Sequence, residues 1–336
     1  MAKIGGLEKI GVLGGGAWGT ALAAAANQAG RDTLLWAREP EVVSAINETH
    51  ENTSFLPGVA LDPELKATRD LVDFADRDTV LMVAPAQYSR VMAAELVKHI
   101  RPKVPLVICS KGIEVLTGKL LSDAIKEVAP DHPVCVLSGP TFASEVARGM
   151  PCAVTLAAED EDLGSALVAA LGLPTFRPYF SSDIIGAQIG GAVKNVLAIA
   201  TGVAAGLNTG ENARAAVITR GLAEIVRFGA LYGARRETLM GLSGLGDLIL
   251  TCSSTQSRNM SLGKAIGEGK SFEEIMAERT SVAEGAHTVD IVHKIAKDKG
   301  LDMPITSAVY RILKKGEDAH DVMDDLLNRP FTDETQ

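Results

Sequence analysis

The sequence predicts an α/β protein of two domains: a doubly wound parallel sheet over residues 1–183 and an all-helical domain over residues 184–336. Short, nearly continuous apolar runs alternate with helical segments in the first half, which is typical of a parallel sheet covered on both faces. Strand patterns stop near residue 183, and helical segments follow. A chain of 336 residues also exceeds the size of most single cores, so two domains are expected.

The predicted strands of the N-terminal domain are short and apolar. They cover KIGVL at 9–13, DTLLWAR at 32–38, TVLMVAP at 79–85, PLVICSKG at 105–112, PVCVLSGP at 133–140 and CAVTLAA at 152–158. The helices predicted between and beside them cover 17–30, 39–50, 87–100, 143–149 and 161–172. Glycine or proline next to several of these segments marks their ends.

The C-terminal domain is predicted to contain helices over 184–207, 212–232, 258–267, 272–278, 286–299, 304–315 and 319–327. The first of these is long and apolar enough to resemble a membrane span. However, it is rich in alanine and glycine, and a lysine near its centre would cost about 2.5–3.5 kcal/mol on insertion. We therefore expect a helix buried inside a water-soluble protein, without membrane insertion.

The overall composition excludes several classes of partner. The net charge of −9 argues against binding to nucleic acid or to an anionic membrane surface. Four scattered cysteines and six dispersed histidines form no metal-ligand spacing, which predicts reduced thiols and no bound metal. The N-terminus shows no signal-peptide pattern. Together these features predict a cytoplasmic protein.

The first predicted strand leads into a glycine-rich loop, IGVLGGGAWGTALA, in which Gly14, Gly16 and Gly19 form the pattern G-x-G-x-x-G. Gly14 would make the tight turn, Gly16 would let the backbone approach a pyrophosphate, and Gly19 would let helix and strand pack closely. The helix that follows presents its unpaired N–H groups to the phosphates. The context of strand, loop and helix predicts a Rossmann-type domain that binds NAD or NADP.

The end of the second strand bears on the choice between these two cofactors. An acidic residue there binds the ribose 2′-hydroxyl of NAD, whereas an arginine accommodates the 2′-phosphate of NADP. The sequence reads WAREP, with Arg38 followed by Glu39. If the strand ends at Ala37 or Arg38, Arg38 is the better placed, and we prefer NADP. Alternatively, Arg38 is a solvated charge and Glu39 belongs to the first turn of the next helix.

Lys194 is the one charge between Asp183 and Glu211, in an otherwise apolar and small-residue segment. A lysine at a helix edge often extends its ammonium into solvent. If this lysine is buried instead, burial and a second lysine nearby would lower its pKa. It could then exchange a proton near neutral pH. We therefore consider Lys194 a candidate acid–base group in the cleft between the domains.

Other polar residues follow predicted strands or lie in loops, and each also has a purely structural interpretation. Lys111 in SKGI follows a strand at the edge where open α/β sheets bind ligands, or it is a solvated loop lysine. Asp247 in GLSGLGDL balances a lysine, or it is a common residue of a glycine-rich turn. Gly139 and Thr141 lie in SGPTFASE, and Val282 and Glu284 lie in VAEG.

The stretch SSTQSRN supplies the remaining candidates, Ser257, Arg258 and Asn259. One interpretation is that they cap the next helix. The other is an anion pocket, because an arginine fork matches a phosphate and a helix N-terminus adds partial positive charge.

Taken together, these stretches resemble the bacterial NAD(P)-dependent glycerol-3-phosphate dehydrogenases. The matching stretches run in the family's order over nearly the whole chain: GGGAWGTALA, WAR, SKGIE, SGPTFASEVA, GGAVKNVLAIATG, GLSGLGDLILTCSSTQSRN and TSVAEG. GAVKN together with GLGDL and SRN is far more specific than the glycine loop. Ala17 stands where many members carry serine, which changes one loop contact and not the chemistry.

The resemblance implies reversible hydride transfer between sn-glycerol 3-phosphate and NAD(P)+, giving dihydroxyacetone phosphate and NAD(P)H, in support of phospholipid synthesis. It implies that Lys194 accepts the proton of the substrate hydroxyl and that the protein is a homodimer. The implied substrate contacts are Lys111, Gly139, Thr141, Lys194, Asp247, Ser257, Arg258 and Asn259. The implied cofactor contacts, beside the three glycines, are Ala17, Trp18, Arg38, Lys111, Ala143, Arg258, Val282 and Glu284.

Two alternatives remain open from the sequence. A β-hydroxyacid or ketopantoate reductase also combines a Rossmann half with a helical half and a helix lysine. A non-catalytic dinucleotide sensor would keep the glycine loop without needing Lys111, Lys194 and Arg258 together.

Overall fold

A computed structural model describes residues 6–278, 283–331 and 333. The strands are β1 (Lys9–Leu13), β2 (Asp32–Trp36), β3 (Glu51–Asn52), β4 (Leu56–Ala60), β5 (Lys66–Thr68), β6 (Thr79–Met82), β7 (Leu106–Ile108), β8 (Val134–Ser138), β9 (Cys152–Ala157) and β10 (Phe176–Ser181). Two short 3-10 turns cover Leu71–Phe74 and Ala86–Tyr88, and a π-helix covers Leu242–Gly246.

The α-helices fall into two groups. Those that accompany the strands are α1 (Ala17–Gln28), α2 (Pro40–Thr49), α3 (Ser89–Leu96), α4 (Leu121–Lys126), α5 (Ala143–Ala147) and α6 (Glu161–Leu171). Those that follow the last strand are α7 (Ile184–Gly206), α8 (Gly210–Tyr232), α9 (Arg236–Leu239), α10 (Asp247–Ser253), α11 (Arg258–Gly267), α12 (Phe272–Glu278), α13 (Glu284–Lys299), α14 (Pro304–Lys315) and α15 (Ala319–Leu327).

Eight strands form one sheet in the order β10-β9-β8-β7-β6-β1-β2-β5. Along this order, the neighbouring strands β8, β7, β6, β1, β2 and β5 all pair in parallel, which confirms the predicted doubly wound α/β fold. The chain runs outward from β1 in one direction and then returns to begin again at β6, so the strand order reverses between β1 and β6. In such sheets, ligands bind outside the carboxyl ends of the strands at this reversal.

The two faces of the sheet are covered by different helices because side chains alternate along each strand. Val12 points to a core formed with α1, α5 and α6, whereas Leu13 points to a core formed with α3 and α4. The strands are therefore buried on both sides, as their continuous apolar runs predict.

The far edge of the sheet departs from the sequence prediction. β9 pairs antiparallel with β8, with Leu156 opposite Leu137, so the sheet is not entirely parallel. β10 pairs with β9 and was not predicted, because its sequence FRPYFS is an interrupted rather than continuous apolar run. An edge strand tolerates the proline and exposes much of its length, so it carries a weak sequence signal.

α7 lies at the centre of the helical half. Neighbouring backbones approach it closely: a Cβ on Gly202 would lie 2.2 Å from the carbonyl oxygen of Met260 on α11. By length and composition α7 is, among the described residues, the one helix that would suffice to cross a membrane; 89% of its most apolar stretch is buried within the protein. Its apolar surface is therefore used to pack the core.

The segment between α8 and α11 also differs from the prediction. The glycine-rich stretch that contains Asp247 was predicted as a turn, but it forms the π-helix Leu242–Gly246 and then α10, of which Asp247 is the first residue. α9 was likewise not predicted. Glycines at Gly241, Gly244 and Gly246 are typical of loops. Here Gly241 and Gly244 lie against α9, Gly244 also lies against Gly190 of α7, and Gly246 lies near Pro140, so tertiary packing overrides the local preference.

A buried carboxylate fixes the start of α14 against α8, and its replacement tests the helical core. Glu224 accepts hydrogen bonds from the backbone N–H of Ile305 at 2.6 Å, from that of Thr306 at 3.0 Å and from the Thr306 hydroxyl at 2.7 Å. Glu224→Gln would turn an amide NH2 toward these donors and should lower the free energy of unfolding by about 1–3 kcal/mol, measured by urea denaturation. Glu211→Gln, an exposed change in the first turn of the same helix, should change it by less than about 0.5 kcal/mol. Equal effects of the two changes would contradict this account.

Candidate active site

The glycine loop has the geometry that a dinucleotide requires. Gly14 has φ of +135°, and a Cβ there would lie 2.9 Å from the carbonyl carbon of Val83 on the neighbouring segment. A Cβ on Gly19 would lie 1.7 Å from the carbonyl oxygen of Gly14, so only glycine lets α1 approach the turn. Gly16 caps the N-terminus of α1 and has open space beside it. The residues present therefore fit a pyrophosphate lying against the first turn of α1.

Ala17 and Trp18 form the first turn of that helix. Within the described part of the chain, the indole Nε1–H of Trp18 is buried and has no hydrogen-bond partner. Because buried polar groups are normally hydrogen-bonded, this donor remains available beside the loop.

Arg38 lies two residues beyond the end of β2, which stops at Trp36 rather than at the predicted Ala37 or Arg38. Its side chain is 80% exposed, and its guanidinium donates to Oε1 of Glu39, from Nε at 3.0 Å and from Nη2 at 2.7 Å. The two residues that could contact the 2′ position of the cofactor's ribose therefore lie side by side just beyond the carboxyl end of β2, and their side chains form an ion pair.

Two lysines meet at one buried carboxylate. Lys194 on α7 donates from Nζ to Oδ1 of Asp247 at 2.5 Å, and Lys111 donates from Nζ to Oδ2 at 2.6 Å. Asp247 is completely buried, and Lys194 is only 6% exposed. The expectation that Lys194 would be enclosed rather than extended into solvent agrees with this geometry.

Further hydrogen bonds fix both ammonium groups. Lys194 donates to the hydroxyl of Thr251 at 2.8 Å, and that hydroxyl donates in turn to the backbone oxygen of Asp247 at 2.6 Å. Lys111 also donates to the backbone oxygen of Gly139 at 3.1 Å. Thr251 was missed from the sequence, since it lies one helical turn after Asp247 only if that stretch is recognised as a helix.

The surroundings lower the pKa of Lys194 from 10.5 to about 8. Burial of the ammonium is the largest cause, and the positive charge of Lys111 acts in the same direction. The Asp247 carboxylate opposes both by favouring the charged amine. Lys194 can therefore gain or lose a proton close to physiological pH.

The loop after β8 forms another wall of this site. A Cβ on Gly191 of α7 would lie 3.1 Å from the Ser138 hydroxyl and 3.3 Å from the side chain of Lys111, so these groups adjoin α7. Thr141 donates from its hydroxyl toward Gly139 O at 3.5 Å, and Ala143 is the first residue of α5. Among the described residues, the buried Ser138 hydroxyl has no hydrogen-bond partner.

The Ser257–Asn259 stretch adjoins α7 at Asn195, the residue after Lys194. Ser257 is the N-cap of α11 and accepts from the Met260 backbone N–H at 3.2 Å, as the capping interpretation expects. Asn259 donates to the side chain of Asn195 at 3.0 Å and accepts from the Gly285 N–H at 2.9 Å. Arg258 is the exposed first residue of α11.

Glu284 connects these groups electrostatically. It begins α13 and accepts from Asn195 Nδ2 at 3.4 Å. Burial raises its pKa, while the positive charges of Arg258, Lys111 and Lys194 act in the opposite direction. Arg258, Lys111 and Lys194, which the sequence offered as separate candidates, therefore all lie close enough to act on this one carboxyl group. Val282, also predicted to contact the cofactor, lies outside the described residues.

No group of three histidine, cysteine, aspartate or glutamate side chains is arranged to hold a metal ion within residues 6–278, 283–331 and 333. A Rossmann-type sheet with a dinucleotide-type glycine loop, and with a buried lysine near its carboxyl edge, is typical of an NAD(P)-dependent oxidoreductase.

Comparison with known proteins makes the assignment specific. A family model described as the NAD-dependent glycerol-3-phosphate dehydrogenase N-terminus matches residues 9–164, and one for the C-terminus of the same family matches residues 183–324. The chain belongs to this family.

Individual relatives agree with the family match. The chain is 55% identical to "Glycerol-3-phosphate dehydrogenase [NAD(P)+]" of Parvibaculum lavamentivorans, with 98% of each chain covered. It is 54% identical to the Caulobacter vibrioides protein of the same name, with 97% of this chain and 99% of the relative covered. A crystal structure of glycerol-3-phosphate dehydrogenase from Coxiella burnetii matches with a TM-score of 0.91 at 37% identity, covering 96% of this chain and 99% of that one.

A ketopantoate reductase structure from Ralstonia eutropha also matches, with a TM-score of 0.61 at 14% identity, over 95% of this chain and 100% of that one. At that identity the likeness concerns the fold alone. The shared fold explains why this class of enzyme was an alternative from the sequence.

The bridging carboxylate supplies a test of the site's electrostatics. Asp247→Asn should lower the pKa of Lys194 below about 8, because the Asp247 charge is the main influence that favours the ammonium. The measurement is competitive labelling of lysine amines with acetic anhydride as a function of pH, read by peptide mass spectrometry. The half-exposed Lys264 of α11, which pairs with Glu268, is an internal control whose labelling should be the same in both proteins. A Lys194 titration that stayed in place or moved upward would refute this electrostatic account.

Proposed function

We propose that this protein catalyses the reversible interconversion of dihydroxyacetone phosphate and sn-glycerol 3-phosphate with NAD(P)H or NAD(P)+. One observation carries the proposal: a buried lysine with a pKa of about 8 shares a carboxylate with a second lysine that follows a strand of the nucleotide-binding sheet. The family supplies the substrate, because its relatives are named for glycerol 3-phosphate.

The reaction needs hydride loss at carbon and proton loss at oxygen. When bound, the nicotinamide cofactor accepts or supplies the hydride at C2 of the substrate. In oxidation, neutral Lys194 takes the proton of the C2 hydroxyl. In reduction, its ammonium returns that proton and stabilises the developing alkoxide. Thr251 and Asp247 hold the amine in place during both directions.

The substrate's phosphate needs a cationic site. Arg258 combines a guanidinium with the N-terminus of the ten-residue helix α11, and both favour a phosphate. Asn259 and Ser257 lie beside it, and Lys111 approaches from the sheet. We therefore assign substrate binding to Lys111, Gly139, Thr141, Lys194, Asp247, Ser257, Arg258 and Asn259.

We assign the cofactor to the carboxyl edge of the sheet. In this assignment the glycine loop binds the pyrophosphate. Glu284 is included because the positive charges of Lys111, Lys194 and Arg258 all act on its carboxyl group. The proposed contacts are Gly14, Gly16, Ala17, Trp18, Gly19, Arg38, Lys111, Ala143, Arg258, Val282 and Glu284. Residues 1–183 are proposed to bind the dinucleotide and residues 184–336 to complete the substrate site.

The wider setting follows from the same assignment. We propose NADP as the preferred cofactor and glycerol 3-phosphate for phospholipid synthesis as the product that the cell uses. The acidic composition supports a cytoplasmic protein that binds neither nucleic acid nor membrane. A homodimer is proposed from the resemblance to the family.

Replacing the proposed acid–base group is the central experiment. Lys194→Met should reduce kcat for dihydroxyacetone phosphate by about 10²–10⁴-fold, the usual contribution of general acid–base catalysis. NADPH affinity, measured by fluorescence titration, should change little. Lys264→Met, at a half-exposed lysine on α11, controls for loss of a positive charge. Near-normal turnover of Lys194→Met would contradict this mechanism.

The pH dependence of the unaltered enzyme is a separate test. kcat/KM for oxidation should rise with pH and level off above an inflection near 8, whereas kcat/KM for reduction should fall through the same region.

The cofactor preference has its own test. Arg38→Gln should raise KM for NADPH about tenfold or more, because a hydrogen-bonded charge pair contributes about 1.5–3 kcal/mol, while KM for NADH stays nearly constant. Glu39→Gln releases the guanidinium from its neighbour and should leave NADPH binding intact or improve it. An unchanged ratio of the two KM values in Arg38→Gln would remove Arg38 as the 2′-phosphate reader.

A further inference from the structure

The segment that carries Lys111 is held by residues of an earlier element. The side chain of Gln87, in the 3-10 turn Ala86–Tyr88, bonds the backbone on both sides of Glu114: it donates to Ile113 O at 2.9 Å and accepts from Val115 N–H at 2.9 Å. The side-chain amide of Gln87 thus makes the pair of backbone hydrogen bonds that a neighbouring strand would otherwise make to this loop. These bonds fix the chain two to four residues beyond Lys111.

An arginine fork adds a second tie. Arg90 on α3 donates from Nε to Oε1 of Glu114 at 2.8 Å and from Nη2 to Oε2 at 2.9 Å, and it also donates from Nη1 to Glu127 at 2.6 Å. Glu114 is buried, and the Thr117 hydroxyl donates to the same carboxylate. A two-point arginine–carboxylate pair in a largely buried position fixes orientation as well as distance.

Residues of the 3-10 turn and of the start of α3 also contact the loop immediately on either side of Lys111. The hydroxyls of Ser89 and Ser110 lie 3.3 Å apart. A Cβ on Gly112, which has φ of +156°, would lie 2.8 Å from Cβ of Ala86. Residues 86–90 therefore contact the loop at positions on both sides of Lys111.

The held segment begins next to the cofactor loop. Val83, which follows β6, is the residue that a Cβ on Gly14 would meet first, and three residues later the 3-10 turn begins. Residues 83–90 thus run from the glycine loop to the lysine loop. They connect the glycine loop to the loop that carries Lys111 by a short path along the chain.

We propose that Gln87 and Arg90 are positioning residues for Lys111, a role that rests on the substrate-binding function proposed above for that lysine. Lys111 must place one nitrogen between Asp247 Oδ2 and Gly139 O through a flexible four-carbon chain. That placement needs a fixed backbone. A displacement of about 1 Å in such a site can cost about 10²-fold in rate.

The test is a double-mutant cycle on kcat/KM for dihydroxyacetone phosphate. Gln87→Ala removes both backbone ties without leaving a buried charge unpaired, and Arg90→Lys keeps the charge but loses the fork. Each should lower kcat/KM about 10–100-fold. Lys111→Met is combined with each change. If the two residues act through Lys111, neither change should lower kcat/KM further once Lys111 is absent.

Arg311→Lys is the matched control. Arg311 on α14 also bonds two carboxylates, those of Glu317 and Asp325, and lies outside the proposed site, so its kcat/KM should be unchanged. Losses that multiply in the double variants would overturn the positioning role while leaving the role of Lys111 intact. Normal kcat/KM in both Gln87→Ala and Arg90→Lys would overturn it as well. Normal kcat/KM in Lys111→Met alone would overturn the proposed function of that lysine, and the positioning role with it.

Discussion

The site depends on one buried carboxylate that holds two ammonium groups. Without Asp247, Lys111 and Lys194 would bring two positive charges together in a region with little water, where unpaired charges are costly. With it, three charged groups from the sheet, from α7 and from α10 are joined at distances of 2.5 and 2.6 Å. The carboxylate therefore joins the nucleotide-binding half to the helical half. It also offsets part of the pKa decrease that burial causes, so that the pKa of Lys194 is about 8 and the amine can change protonation state near neutral pH.

The backbone of α7 creates the space for that lysine. Gly190, Lys194 and Gly202 lie on one row of the helix, spaced by multiples of four residues. A Cβ on Gly190 would lie 2.3 Å from the Ser243 carbonyl, and one on Gly202 would lie 2.2 Å from that of Met260. Two neighbouring segments thus contact the bare backbone, one before Lys194 and one after it. The long side chain occupies the gap between them, where it meets α10.

The sequence predicted the alternating strands, the glycine loop and the long apolar helices, because each is encoded by a local pattern. The same patterns indicated Lys111, Lys194 and Asp247, although not the geometry that joins Lys111 to Lys194, which are 83 positions apart in the chain. β10 and α10 were missed for physical reasons. β10 is a partly exposed edge strand with a proline, and α10 follows glycines that favour a turn until α7 packs against them. Thr251 was missed with α10.

The π-helix Leu242–Gly246 directly precedes Asp247 and has a further meaning for how this site tolerates change. π-helical turns hold an additional residue relative to an α-helix and occur often where function demands a particular orientation. Each residue of an α-helix turns the chain by about 100°. Deleting one residue here would shorten the π-helix and displace the start of α10, where Asp247 meets both amines. Natural variation in this stretch should therefore proceed by exchange of side chains and not by insertions or deletions.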